Sequence, residues 1–247
     1  MHHLGLTRSV RRANHALHTP DAFIRTQIPG MSKAAAIVHA SPALGAAFTQ
    51  YTAEMEAGGS LGYSPWQRFV FVLEGAVEIS VNTSHDLLAK NDYAYVPIGT
   101  AHDVMASEPS RLAVIEKPYE YLQSFFAPEP FSASESKLPG LPLMGDSELI
   151  VRSLLPDTMI YDFAVNTMTY QPGAALSMVE MHVMEHGLLM LEGGGIYRLD
   201  EDWYPVTAGD FIWMGPYCPQ WFGAIGKTPA KYLIYKDWNR HPLRQPK

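Results

Sequence analysis

A carboxylate and two imidazoles fall close together in Glu180-Met-His182-Val-Met-Glu-His186. On an extended strand, side chains alternate between faces, so positions 178, 180, 182, 184, 186, 188 and 190 would share one face. That face reads Met, Glu, His, Met, His, Leu, Met; the opposite one carries Val179, Met181, Val183, Glu185 and Gly187. Three ionisable groups therefore project together from a mostly apolar wall. Burying them is costly unless they share a metal ion or a hydrogen-bond network.

Those residues need a scaffold, and the chain repeats itself. FVFVLEGAVEIS (69–80) matches LLMLEGGGIYRL (188–199), with Leu-Glu-Gly ending an apolar run in each. LLAKNDYAYVPIGTAH (87–102) matches YPVTAGDFIWMGPYCPQ (204–220). Glu74 and Glu192, and again Asp92 and Asp210, stand 118 residues apart. One offset at two independent landmarks identifies a duplicated domain. Each copy consists of short apolar or alternating runs broken by Gly, Pro, Asn or Asp, the pattern of antiparallel sandwiches and barrels. The offset also pairs Gln220, just before Trp221-Phe222, with His102. In the first copy Gly62, Ser64 and Arg68 stand where the second has Glu180, His182 and His186. Only His102 keeps a metal-ligand type there, and one imidazole does not hold a metal.

Composition narrows the classes of function. The 247 residues carry 18 Lys+Arg against 25 Asp+Glu, a net charge of −7 with no basic run, which argues against nucleic-acid and anionic-membrane partners. No apolar stretch approaches the ~20 residues that span a bilayer, and no secretory leader is visible, so a cytoplasmic location is expected. The lone Cys218 excludes an intrachain disulfide framework and reads as a small buried hydrophobe. The expected organisation is an irregular segment 1–30 and a metal-free domain 31–117. A Pro- and Ser-rich connection 118–148 and a metal-bearing domain 149–247 follow.

The spacing from Gly173 to Gly193, and from Gly209 to Gln220, resembles the two motifs of the cupin superfamily, with Glu180, His182 and His186 in the ligand positions of the first. The resemblance implies an all-β chain of two tandem cupin barrels. The phrases ANHALHTPDAF, HVMEHG, MGPYCPQWFGAIGKT and YLIYKDWNRHPL resemble the (S)-ureidoglycine aminohydrolases more specifically. That likeness runs from about residue 7 onward; the first-copy stretch GYSPWQRF departs from it. It implies manganese ligands at Glu180, His182, His186 and Gln220, one ion per chain. It also implies substrate contacts at Glu180, Gln220, Tyr232, Lys236 and Tyr197, with Glu180 and Lys236 as the catalytic pair. Two nitrogens and two oxygens without a thiolate suit Mn2+ or Fe2+ better than a structural Zn2+. Lys236 closes the alternating run KYLIYKD, sharing a face with Tyr232 and Ile234.

The activity implied is hydrolytic deamination of a small ureide, (S)-ureidoglycine, to (S)-ureidoglycolate and ammonia. Two histidines and a carboxylate are also an Fe(II) oxygenase triad, which keeps a cupin dioxygenase open. A non-enzymatic small-molecule-binding cupin is the third reading; no output module accompanies it. Pairing of cupins through edge strands implies a homo-oligomer.

Overall fold

Alternation becomes strand almost throughout the computed structural model, which describes residues 6–240. Residues 1–5 and 241–247, including the last letters of YLIYKDWNRHPL, lie outside the described residues. Among the described residues, helix is limited to short 3-10 turns at Pro20–Ala22, Pro42–Leu44 and Glu135–Lys137.

The chain forms two units, 24–138 and 1–23 with 139–247. In the first unit a ten-stranded sheet carries, as central neighbours, Asp92–Val96, Gln67–Glu74, Ser110–Lys117 and Thr49–Ser60. Strand alternation sends Tyr51, Val70, Val72, Ala94, Val96, Leu112 and Val114 into one buried core. Residues 118–148, expected as a connection, contribute Phe131–Ser134, which pairs with Asp92–Val96, and Leu141–Leu143, which pairs with Asp146–Ser153.

The second unit has an eight-stranded and a three-stranded sheet. In the larger, His186–Glu192 lies between Phe211–Met214 and Ala230–Lys236, and Ala164–Tyr170 flanks the latter. In the smaller, Gly194–Leu199 lies between Asp202–Thr207 and Gln220–Ala224. Near the N-terminus the strand His15–His18, paired on its other side with Val10–Arg11, joins the larger sheet beside Phe211–Met214. One core collects Met168, Tyr170, Leu188, Met190, Tyr197, Phe222, Tyr232 and Ile234 from both sheets.

The repeat landmarks have a common physical basis. Gly75 and Gly193 turn in the left-handed region (φ 76° and 63°), where a Cβ would meet the carbonyl oxygens of Pro109 and Pro229 at 2.5 and 2.4 Å. Only glycine tolerates both conditions. Asp92 and Asp210 each accept a turn N–H at 2.9 Å, from Ala89 and Thr207.

Candidate active site

One expectation is corrected at once: residues 178–190 are not a single strand. The strand begins only at His186, and residues 177–185 form a loop in which Glu180 makes an isolated bridge to Gln220. The reason lies in pairing. Glu180 and Gln220 exchange both backbone hydrogen bonds at 2.8 Å, and the Tyr217 N–H binds the His182 carbonyl at 2.6 Å. The segment therefore follows the approach to Gln220–Ala224, not the strand His186–Glu192. Met178, Val179 and Met181 are consequently exposed, while Glu185 is buried.

The loop still brings the expected groups together by another route. The backbone bridge fixes Glu180 beside Gln220. Nε2 of His182 lies 3.1 Å from Oε2 of Glu180, and the rings of His182 and His186 meet edge to face at 5.6 Å between centroids. His186 is directly opposite Lys236 in register, at the end of a paired strand. Tyr197, on Gly194–Leu199, donates its hydroxyl to Oε1 of Gln220 at 3.5 Å. Tyr232 lies in the same core as Tyr197 and stacks edge-on against Phe222 at 5.7 Å.

Electrostatics set the protonation of this cluster. Burial drives the His186 imidazole down to about 3, helped by the charges of Lys236 and His182. His186 is thus neutral near pH 7, the form that coordinates a cation. Burial also lowers the Lys236 ammonium, against the opposing pull of Glu180. Burial raises Tyr197 and Tyr232 well above the usual phenol range, so both remain O–H donors. The Cys218 thiol is pushed up to about 11 by burial and packs in the core, without nucleophilic character.

Among the described residues, no group of three His, Cys, Asp or Glu is closed on a common point for a metal ion. His182 instead faces the Glu180 carboxylate. The donor chemistry fits a divalent cation all the same: a carboxylate, two imidazoles with His186 neutral, and an amide oxygen on adjoining segments. The 3.1 Å between Nε2 of His182 and Oε2 of Glu180 is also a separation that two ligands of one cation can have.

Two residues that carry weight were not singled out by spacing. Tyr170 is fully buried, with its hydroxyl 2.7 Å from that of Tyr232; its only sequence signal is alternation with Met168. In the first unit Glu116 holds Arg68, the counterpart of His186, through bonds of 2.8 and 2.7 Å. The Arg68 guanidinium also donates to the Gly62 carbonyl at 2.6 Å and reaches Nε2 of His102 at 3.1 Å.

The chain is similar to known proteins in sequence and fold. A cupin domain model matches residues 166–235 and an EutQ-like cupin domain model matches 43–119, so the chain is two tandem cupin barrels. The (S)-ureidoglycine aminohydrolase of Arabidopsis thaliana is 43% identical over 97% of this chain and 80% of its own length. The chain belongs to the (S)-ureidoglycine aminohydrolase family. The Escherichia coli member of that family is 30% identical over 94% of this chain and 91% of its own. A crystal structure of a Pseudomonas aeruginosa protein described as glyoxylate-induced superposes with a TM-score of 0.89 at 28% identity, covering 98% and 94% of the two chains. Family membership makes the chain a hydrolytic enzyme. No helix among the described residues is long and apolar enough to cross a membrane.

Proposed function

We propose that this chain removes the amine of (S)-ureidoglycine by hydrolysis, giving (S)-ureidoglycolate and ammonia, in purine breakdown, with a divalent metal, Mn2+, at Glu180, His182, His186 and Gln220. The observation that carries the reading is the juxtaposition of the bridged pair Glu180–Gln220 with His186, itself in register with Lys236. It is supported by membership of a family whose named members act on that substrate.

The substrate's Cα bears an amine, a ureido nitrogen and a carboxylate. The bound cation supplies Lewis acidity and a template for chelation. Lys236 offers a cation to the carboxylate from the strand opposite His186. Tyr232 and Tyr197, protonated at working pH, donate hydrogen bonds to substrate oxygens. Water gives its hydroxyl to Cα as the bond to the amine breaks, and its remaining proton leaves on the nitrogen as ammonia. In this reading Glu180 takes that proton from water and returns it to the departing amine. The apolar wall of Leu188 and Met190 strengthens these contacts by excluding water.

Ammonia release from freshly generated ureidoglycine tests the reading directly. Lys236→Ala keeps its metal content and loses roughly ten- to a hundred-fold in kcat/KM, the scale of a missing charge-assisted contact. A Lys236→Ala enzyme within a factor of about two of wild type assigns that lysine to packing alone.

A further inference from the structure

Tyr170 has no role in the chemistry above, yet its hydroxyl is placed with care. Its ring is fully buried against Phe222, edge-on at 4.9 Å, and tilted against Tyr232 at 5.6 Å. Its hydroxyl meets one partner among the described residues, the Tyr232 hydroxyl at 2.7 Å. A buried O–H needs an acceptor, and Tyr232 is the acceptor on hand. The Tyr232 hydroxyl has a single proton of its own. With its oxygen already accepting from Tyr170, that proton is free to point elsewhere, and it points to the Met168 sulfur at 3.2 Å. A thioether is a weak acceptor that an incoming oxygen displaces readily.

We propose that Tyr170 is a positioning residue that, by donating to Tyr232, commits the Tyr232 hydroxyl to donate to the substrate carboxylate in place of Met168. The inference rests on the proposed deaminase reading for its substrate and on the hydroxyl geometry for its residue. Without the Tyr170 hydroxyl, the Tyr232 oxygen loses the bond that holds it in place, and only the weak contact to the Met168 sulfur orients its proton. The carboxylate then meets a donor that must reorient. The contact is made equally in ground and transition states, so its loss raises KM with little change in kcat.

The experiment compares Tyr170→Phe, Tyr232→Phe and the double variant, all as full chains loaded with metal. Tyr170→Phe is expected to raise KM for ureidoglycine about tenfold with kcat within about twofold. The double variant is expected to match Tyr232→Phe alone, because Tyr170 acts only through Tyr232. In parallel, calorimetric titration with oxamate, a small carboxylate, is expected to show about tenfold weaker binding in Tyr170→Phe and no further effect of that change in the Tyr232→Phe background. A fall in kcat at unchanged KM, losses that multiply in the double variant, or no oxamate binding by the wild type each overturns the proposal. A wild type that releases no ammonia from ureidoglycine but shows the oxamate pattern retains the tyrosine relay and rejects the deaminase reading.

Discussion

Nη1 of Arg68 stands 3.1 Å from Nε2 of His102, at the two positions where the second repeat carries His186 and Gln220. In register, Arg68 faces Glu116 as His186 faces Lys236. One barrel thus encloses an arginine cation of its own, neutralised by Glu116, and the other a neutral imidazole beside a lysine.

The expected stoichiometry is therefore one ion per chain and not two. The ion is expected to be lost in His182→Ala or His186→Ala and kept in His102→Ala. Elemental analysis finding two ions per chain, or loss of the ion on removing His102, contradicts the ligand assignment.

The Arg68–Glu116 pair is buried, with side chains 4% and 11% exposed. Arg68→Ala strands the Glu116 carboxylate in the core and is expected to cost ~3–5 kcal/mol. Replacing both residues by apolar ones of similar volume costs far less. Chemical denaturation of the single and double variants checks this, and equal losses in the two count against it.

Burial holds the His102 imidazole below its ordinary value of 6.5; Arg68 pushes the same way, against the Thr100 carbonyl, Glu116 and Asp103. As pH falls below 6.5 the unfolded chain takes a proton that the folded His102 resists, so this group destabilises the fold in acid. Melting temperatures recorded from about pH 7.5 down to about 5 are expected to fall more steeply for wild type than for His102→Gln. Parallel slopes remove His102 from the acid response.

Glu180 occupies a position where an imidazole is the commoner cupin ligand, and a carboxylate there can exchange a proton while loosely coordinated. Glu180→Gln is expected to retain the metal and lose at least ~100-fold in turnover, the usual scale for a missing acid–base group. Glu180→His is expected to bind metal and stay nearly inactive. Near wild-type deamination by the His variant leaves Glu180 as a ligand only.

The sequence was most legible where backbone physics allows one solution. Gly75 and Gly193 mark left-handed turns that abut a proline carbonyl. Asp92 and Asp210 close turns with the same hydrogen bond. Both landmarks therefore survive in each repeat and reveal the duplication. The loop 177–185 was not legible, because alternation of side chains says nothing of whether a neighbouring backbone is there to pair. Glu180 found that neighbour at Gln220, outside the strand His186–Glu192. Lys236 and Glu116 were also hidden from each other. The turn before the last strand is two residues longer in the second copy, between Ala224 and Ala230 against Ala106 and Ser110, so a fixed offset misaligns them.

The pairing of His15–His18 with Phe211–Met214 imposes an order in time on the growing chain. The first of these strands emerges from the ribosome almost 200 residues before the second. At typical synthesis rates of ~5–20 residues per second it waits roughly 10–40 s for its partner. Residues 24–138 complete a unit of their own in that interval. Apart from its local pairing with Val10–Arg11, the strand His15–His18 must stay uncommitted meanwhile, a window in which its other edge is open to chaperones or to another nascent chain.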